Sequence, residues 1–381
     1  MTWLKAMLRL ESTFRAQSRL AQSAVGQLES HFPLAFEIRS SPGKGLGVFA
    51  TKNIPRDAVI MRDPLVFRAE RGEELADLHH KFTMLPTATR QKILELSVGS
   101  GVHDFSAVIK ELTAQQGGDE DCEKALIELF RLEDIIAENA FNAVPHNIDS
   151  ASVLLYLNAS RLNHSCIPNA DPASKDDTSY MVMRANRDIN AGEEITSSYI
   201  LRVVPRATRL QQLSKGWGFT CQCPACDPKN PFSDSHERRL KALLQLYTES
   251  ACYMNKEGRL KDAERSSYGA LKQAADRAKR QIEMLSEHHS LRVFSRESCL
   301  GALDIAIAKY KLKRLESDLE EALKLLELII EADKLYHGEI TIGAHEELYK
   351  RLRRGDISSM WLLYLCTPLL FSSAEKRTLT T

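Results

Sequence analysis

The chain has 381 residues, 43% of them hydrophobic and 27% charged, which is enough for a buried core and for two domains. Lys and Arg together number 51, as do Asp and Glu, so the broad basic field that drives non-specific nucleic-acid binding is excluded. No run reaches the roughly eighteen apolar residues of a membrane span, and no membrane partner is expected.

Residues 1–33 set Lys5, Arg9, Arg15 and Arg19 against Glu11 and Glu29, with apolar residues at helical intervals. They read as an amphipathic helical extension, with an organelle transit peptide as the weaker alternative. From Phe36 to Phe67 short apolar runs alternate with the turns Ser40-Ser41-Pro42-Gly43-Lys44-Gly45 and Asn53-Ile54-Pro55-Arg56-Asp57, a pattern of strands. Between about 68 and 142 the spacing becomes helical, for example at Leu126, Ile127, Phe130, Ile135 and Ile136, with a loop at Gln115 to Asp121. A helical insert in a β framework is expected. Strands return at Tyr180 to Ala185 and, after the turn Asp188 to Glu194, at Ile195 to Leu201. Asp227-Pro228-Lys229-Asn230-Pro231 marks a boundary. Beyond it, Arg238–Asn255, Arg259–Leu285, Ser295–Leu312 and Leu315–His337 keep i, i+3, i+4 spacing, which suggests antiparallel helix pairs, either tetratricopeptide-like or an ordinary bundle. The apolar stretch from Trp361 to Phe371, interrupted by Pro368, reads as a last buried segment within a tail from 356 to 381.

The eight cysteines, at 122, 166, 221, 223, 226, 252, 299 and 366, have no even spacing, and the first thirty residues lack a secretory-leader pattern. A reducing, intracellular compartment, nucleus or cytoplasm, is expected, with a metal site in place of a disulfide framework. Cys221, Cys223 and Cys226 lie within six residues, so their thiolates can converge on one tetrahedral zinc ion. The fourth ligand is open: Cys166 is preferred, with His164 or a further residue as alternatives. Cys122, Cys252, Cys299 and Cys366 read as core residues. Arg202, Arg206, Arg209 and Lys215 read as a solvated basic face.

Four motifs stand in order: Gly43-Lys44-Gly45-Leu46-Gly47-Val48-Phe49-Ala50, Asn163-His164-Ser165-Cys166-Ile167-Pro168-Asn169, Gly192-Glu193-Glu194-Ile195 through Tyr199, and Cys221-Gln222-Cys223-Pro224-Ala225-Cys226. Together they resemble the SET-domain lysine methyltransferases over about residues 35–228, and the helices that follow look like the C-terminal half of the SMYD branch. That branch interrupts its SET domain with a zinc-binding MYND finger. Here residues 68–140 contain Cys122 as their one cysteine, so the finger is absent and its partner recruitment is not carried over.

The resemblance implies an α+β chain: a SET domain of small curved sheets over 34–213 with the helical insert, a zinc-binding post-SET segment over 214–231, and an all-α domain over 232–355. It implies that the Asn-His-Ser-Cys segment passes through a loop of the chain, and that S-adenosylmethionine and a target lysine enter from opposite faces. On it, Tyr199 matches the tyrosine bordering the methyl-transfer point. Lys44, Gly45 and Leu46 match the cofactor turn, and Asn163 and His164 match cofactor contacts. Asn139 matches the SMYD branch's additional cofactor asparagine, and Phe219 the aromatic residue on the adenine, with Trp217 a rival for that role or for a wall of the lysine channel. Cys166 with Cys221, Cys223 and Cys226 would hold zinc. The expected partner is a protein presenting a lysine, histone or otherwise, to a monomeric enzyme, with no sequence-specific nucleic-acid binding. The alternative is a catalytically weak SET scaffold that binds proteins through its C-terminal helices.

Overall fold

The computed structural model describes residues 35–70, 73–98, 105–115, 120–142, 152–173, 179–251, 266–337 and 339–356. The N-terminal extension, the segment from Trp361 to Phe371, Cys252, Cys366 and the side chain of Cys122 lie outside the described residues.

The strands in chain order are β1 (Phe36–Ser41), β2 (Gly45–Ala50), β3 (Val59–Glu70), β4 (Phe141–Asn142), β5 (Ser152–Tyr156), β6 (Asn163–His164), β7 (Ala170–Ala173), β8 (Tyr180–Ala185) and β9 (Glu194–Ser197). They form two sheets, ordered β1-β2-β9-β6 and β4-β5-β3-β8-β7. The strand β3 is long enough to serve two partners: Val59 to Pro64 pair with β8, and Leu65 to Glu70 pair with β5. The period-two alternation of strand side chains then divides the core. On β5, Leu154 and Tyr156 face the cluster that includes Val48, Leu162, Met183 and Ile195. Leu155 faces the opposite way, toward Phe82, Ile93, Leu132 and Ile135 of the helical insert.

That insert comprises α1 (Leu75–Thr83), α2 (Thr87–Leu94), α3 (Ser106–Gln115) and α4 (Glu120–Asn139). Its packing against Phe67 and Leu155 aims the last turn of α4 back at the sheets. Asp63 sets the return path of the chain. Its carboxylate, 1% exposed, accepts the Asn158 and Ala159 amides at 2.6 and 2.7 Å and the Asn158 side chain at 2.8 Å. These bonds shape the 3₁₀ turn Ala159–Arg161 that delivers the chain into β6.

The C-terminal region consists of α5 (Arg206–Trp217), α6 (Pro231–Ala251), α7 (Tyr268–Ser286), α8 (Ser295–Lys313), α9 (Glu316–Tyr336) and α10 (Glu339–Arg353). From α6 onward each helix packs on the next in sequence. Helices α6 and α10 differ from the sequence reading. Helix α6 begins at Pro231, because proline suits the first helical position and the Asn230 side chain caps it by accepting the Phe232 amide at 3.0 Å. Helix α10 escapes the apolar pattern because its buried face mixes Thr341 and His345 with Ile342, Leu348 and Leu352.

The helices dock on the second sheet through Tyr336, Val293 and Leu335 against Ala173 and Val182. Of the four residues read as a solvated basic face, Lys215 is exposed and Arg206 half-buried, but Arg202 and Arg209 lie in the interior. Arg202 is buried, pairs with Asp171 at 2.8 Å and stacks 5.0 Å over Phe294, so its charge pins the docking of the helices. Arg209 is fully buried. Spacing alone cannot separate a solvated arginine from one whose partner lies far away in sequence.

A buried charge network ties α8, α9 and α10. Asp333 accepts from Arg296 Nε at 2.5 Å and from His345 Nδ1 at 2.6 Å. Burial opposes ionisation of Asp333, but the His345 hydrogen bond and the Arg296 charge outweigh it and hold the carboxyl below its ordinary range. Asp333→Ala leaves the buried Arg296 guanidinium with only the longer Glu297 contact at 3.5 Å and is expected to cost about 3 kcal/mol, read as a lower urea midpoint. Because the folded pKa is depressed, this stabilisation is complete above the unfolded value of about 3.9 and is lost as pH falls through the folded value. The wild-type and variant midpoints should therefore converge in acid.

Candidate functional site

The site is built where the two sheets meet. Strand β6 pairs in parallel with β9, Asn163 opposite Thr196 and His164 opposite Ser197, and the Ser165 amide extends the ladder to the Ser197 carbonyl at 2.9 Å. Asn169 holds the same strand from the other side. Its Oδ1 accepts the Thr196 amide at 2.8 Å, and its Nδ2 donates to the Glu194 carbonyl at 2.9 Å. Strand character stops at Ser197, four residues short of the sequence expectation. The cause is local: the Tyr199 amide turns to the ring of His164, donating to Nδ1 at 3.1 Å, and takes no ladder partner.

Tyr199 therefore lies just beyond the strand end, with its hydroxyl donating to the Leu162 carbonyl at 2.7 Å. Burial, reinforced by the charges of Glu138 and Glu194, pushes its pKa well above the ordinary phenol value, so the hydroxyl stays protonated and neutral. Its ring centroid is 5.3 Å from those of His164 and Trp217. Trp217, the last residue of α5, is anchored by its Nε1 to the Glu138 carbonyl at 3.3 Å. The ring of Phe219 lies 6.0 Å from that of His164.

A cavity of about 1520 Å³ opens beside these rings, and Lys44, Leu46, Asn139, Asn163, His164, Tyr199, Trp217 and Phe219 all line it. Gly45 sits at its edge with φ 75°, a left-handed conformation that favours glycine. The side chain of Asn163 donates to the Leu46 carbonyl at 3.1 Å and to Glu194 Oε1 at 2.8 Å. Lys44 pairs with Glu194 Oε2 at 2.8 Å. Burial works against the Glu194 charge, yet the hydrogen bonds from Lys44, Asn163 and Ser41 prevail and keep its pKa low. The carboxamide of Asn139 is turned into the fold: its nitrogen donates to the carbonyls of Ser97 and Ile135 at 2.7 and 2.9 Å.

The Sγ atoms of Cys166, Cys221, Cys223 and Cys226 lie within 4.8 Å of one another. Zn–S bonds of about 2.3 Å would set tetrahedral sulfurs roughly 3.8 Å apart, so the donor set fits a closed zinc site, and Cys166 is the fourth member the sequence left open. Cys299, by contrast, is buried in the helical core. Hydrogen bonds from the Cys166, Cys221 and Cys226 thiols hold Cys223 far below the ordinary thiol range, while the same contacts push Cys166 up. Arg209 supports the cysteine loop, reaching the Ala225 carbonyl at 3.2 Å and the Val204 carbonyl at 2.6 Å.

Residues 45–200 match the SET domain family. The chain carries a SET domain. A SET domain-containing protein of Acanthamoeba polyphaga mimivirus is 24% identical over 203 residues, covering 48% of this chain and 74% of that one. The histone-lysine N-methyltransferase SET5 of Meyerozyma guilliermondii is 36% identical over 96 residues, covering 25% of this chain and 20% of that one. The protein-lysine N-trimethyltransferase SMYD5 of Gallus gallus is 40% identical over 90 residues, covering 22% and 21%. The chain thus spans about a fifth of the length of these two methyltransferases.

Sequence reasoning gave no separate role to Gly47, Asn169 and Glu194, although each stands inside one of the four motifs, and it read Arg209 as solvated. Gly47 carried a further signal as the third glycine of its motif. A Cβ there would stand 2.8 Å from both Asn163 Nδ2 and Glu194 Oε1 and 3.1 Å from Ser41 Cβ. Gly47→Ala is expected to cost about 1–3 kcal/mol through overpacking, measured by urea unfolding. An unchanged midpoint would mean that the Asn163–Glu194 pair moves aside freely.

Proposed function

We propose that this protein transfers a methyl group from S-adenosylmethionine to the side-chain amine of a protein lysine, and that zinc closes the four-cysteine cluster. The observation that carries this reading is convergence. One cavity is walled by the Lys44–Leu46 turn, by Asn163 and His164, by Tyr199, and by Trp217, Phe219 and the loop of Cys221 and Cys223. The names of the relatives support the same chemistry. A nucleus or cytoplasm location follows from that reading alone. Among the described residues, no helix is long and apolar enough to cross a membrane.

The cavity suits such a cofactor. It offers aromatic faces at Phe219 and Trp217, paired charges at Lys44 and Glu194, and a backbone turn that glycine lets a ligand approach. Lys44, Gly45, Leu46, Asn163 and His164 would hold S-adenosylmethionine, with Asn139 at the rim and Phe219 against its base. When bound, it would supply an electrophilic methyl on a sulfonium, whose carbon the neutral lysine amine would bond as the C–S bond breaks and a neutral thioether leaves, the new ammonium then losing a proton to solvent.

The chain's own residues prepare that step. The rings of Tyr199 and Trp217 form a desolvated wall, and loss of water lowers an amine's pKa and so favours the uncharged form with a free lone pair. The Tyr199 hydroxyl, neutral at physiological pH, acts by orientation and dipole and is no base. Its tether to the Leu162 carbonyl keeps it in place before a ligand arrives, which is preorganisation. Closing water out is the task of residues 217–226, and the cysteine cluster fixes their position.

Tyr199→Phe deletes one hydroxyl and is expected to lower the transfer rate about 100-fold, measured with labelled S-adenosylmethionine on a whole-cell extract. Equal labelling by both proteins would remove Tyr199 from the reaction. Calorimetry showing no S-adenosylmethionine binding at millimolar concentration would leave the scaffold reading in possession.

Removal of zinc by a chelator is expected to lower the thermal midpoint by several degrees and abolish transfer together, since a structural metal contributes folding free energy. Full activity in metal-free protein would refute the role given to the cluster.

A further inference from the structure

One buried ring touches both halves of the site. The side chain of His164, 6% exposed, accepts the Tyr199 amide proton at Nδ1 over 3.1 Å. A nitrogen that accepts carries no proton, so in the neutral ring the proton sits on Nε2. That atom lies 3.3 Å from Cys166 Sγ, within reach of an N–H···S hydrogen bond. The imidazole is rigid, so both contacts share a single orientation. A rotation that breaks one breaks the other.

We propose that His164 is a positioning residue that couples the metal cluster to Tyr199. Its Nε2–H donates to the Cys166 sulfur, and its Nδ1 holds the Tyr199 backbone. This inference rests on the zinc reading above and deepens it.

The coupling has a direction on each side. The Nε2–H, 3.3 Å from Cys166 Sγ, orients that sulfur and offsets part of the negative charge a coordinating thiolate carries. Partners of this kind, one shell outside the metal, typically change affinity 10–100-fold. On the other side, metal-bound Cys166 fixes the ring, and the ring fixes the Tyr199 amide just beyond the end of β9. The Tyr199 hydroxyl then reaches the Leu162 carbonyl at 2.7 Å, two residues before His164 itself. Leu162, His164 and Tyr199 form a closed loop of contacts, with Cys166 as its outlet to the metal. Metal occupancy is thereby felt at the hydroxyl that borders the reaction, without any contact between Tyr199 and the cluster's ion.

Two variants of the full chain separate the two ends of the ring. In His164→Asn the amide oxygen stands near the former Nδ1 and still accepts from Tyr199, but nothing reaches Cys166. In His164→Gln the amide nitrogen stands near the former Nε2 and still donates to sulfur, while the Tyr199 amide loses its acceptor. Cobalt(II) is the probe, because its sulfur-to-cobalt charge-transfer band reports hydrogen bonding to the thiolates. For His164→Asn we expect cobalt affinity to fall at least tenfold and the band to move to longer wavelength. His164→Gln should keep the wild-type band and affinity, yet transfer label from S-adenosylmethionine more slowly at saturating cofactor than His164→Asn does. Wild-type band and affinity in His164→Asn would overturn the proposal, as would equal band shifts in both variants. Should His164→Asn fail to fold, His164→Gln decides alone: a shifted band overturns the coupling, and a retained band with slowed transfer supports it. Wild-type protein that shows no thiolate–cobalt band would instead overturn the metal reading, and the coupling with it.

Discussion

Two rungs of parallel ladder, Asn163 against Thr196 and His164 against Ser197, set the register of the whole site. Such a short ladder would not persist unaided, since each strand contributes only a pair of residues. It persists because β9 is gripped from three directions. Strand β2 pairs with it through Val48 and Ile195, β6 lies along it in parallel, and Asn169 supplies from its side chain the acceptor for the Thr196 amide. One carboxamide thus satisfies a buried backbone donor that would otherwise be orphaned. A slip of one residue would turn Asn163 away from Leu46 and Glu194 and His164 away from Cys166, because strand side chains alternate with period two.

Around that register the protein keeps charges where water is scarce, and each has partners. Glu194 is met by Lys44, Asn163 and Ser41, Asp171 by Arg202 and Asp333 by Arg296 and His345. Burying charges seldom adds net stability, but breaking such a pair is costly. Their effect here is geometric: each pair links segments that hydrophobic packing alone would leave free to slide. Glu194 joins the glycine turn to the Asn163 segment, and Arg202 joins the sheet to the helices. The Asp333 network clamps three helices together.

Much of this was legible in the sequence where function depends on side chains close in the chain. The cysteine cluster could be named from its spacing, whereas the Asn163-His164 step and Tyr199 were named through the resemblance that their motifs carry. The helical insert followed from periodicity, and the small curved sheets from the resemblance, while their division into two sheets sharing out the strands around β3 did not show in the sequence. What stayed hidden depends on contacts across long separations. Arg209 looks like any surface arginine until Val204 and Ala225 fold around it. Asn169 looks like a turn residue after Pro168, and its work as a surrogate strand edge exists only once β9 is in place. The end of β9 at Ser197 could not be read from Ile195 to Leu201 either, since that run is apolar enough for a strand and is cut short by one bond to the His164 ring. Helix α10 was obscured because His345 and Thr341 occupy its buried face.

Helix α5 shows how these long-range contacts act together. At one end Arg209 is locked to the carbonyls of Val204 and Ala225, the second of which lies inside the cysteine loop. At the other end Trp217 lies over Tyr199, and the chain leaves the helix at the left-handed Gly218 before reaching Cys221. Eight residues of helix separate Arg209 from Trp217, a stiff rod of about 12 Å. A rod fixed at one end cannot rotate at the other without breaking its own hydrogen bonds. Ordering the cysteine loop therefore orders Arg209, which sets the helix register, which in turn sets the face of Trp217 toward Tyr199. The cluster reaches the aromatic wall through α5 on one side and through His164 on the other, and the cavity between them keeps its shape only while both arms are held.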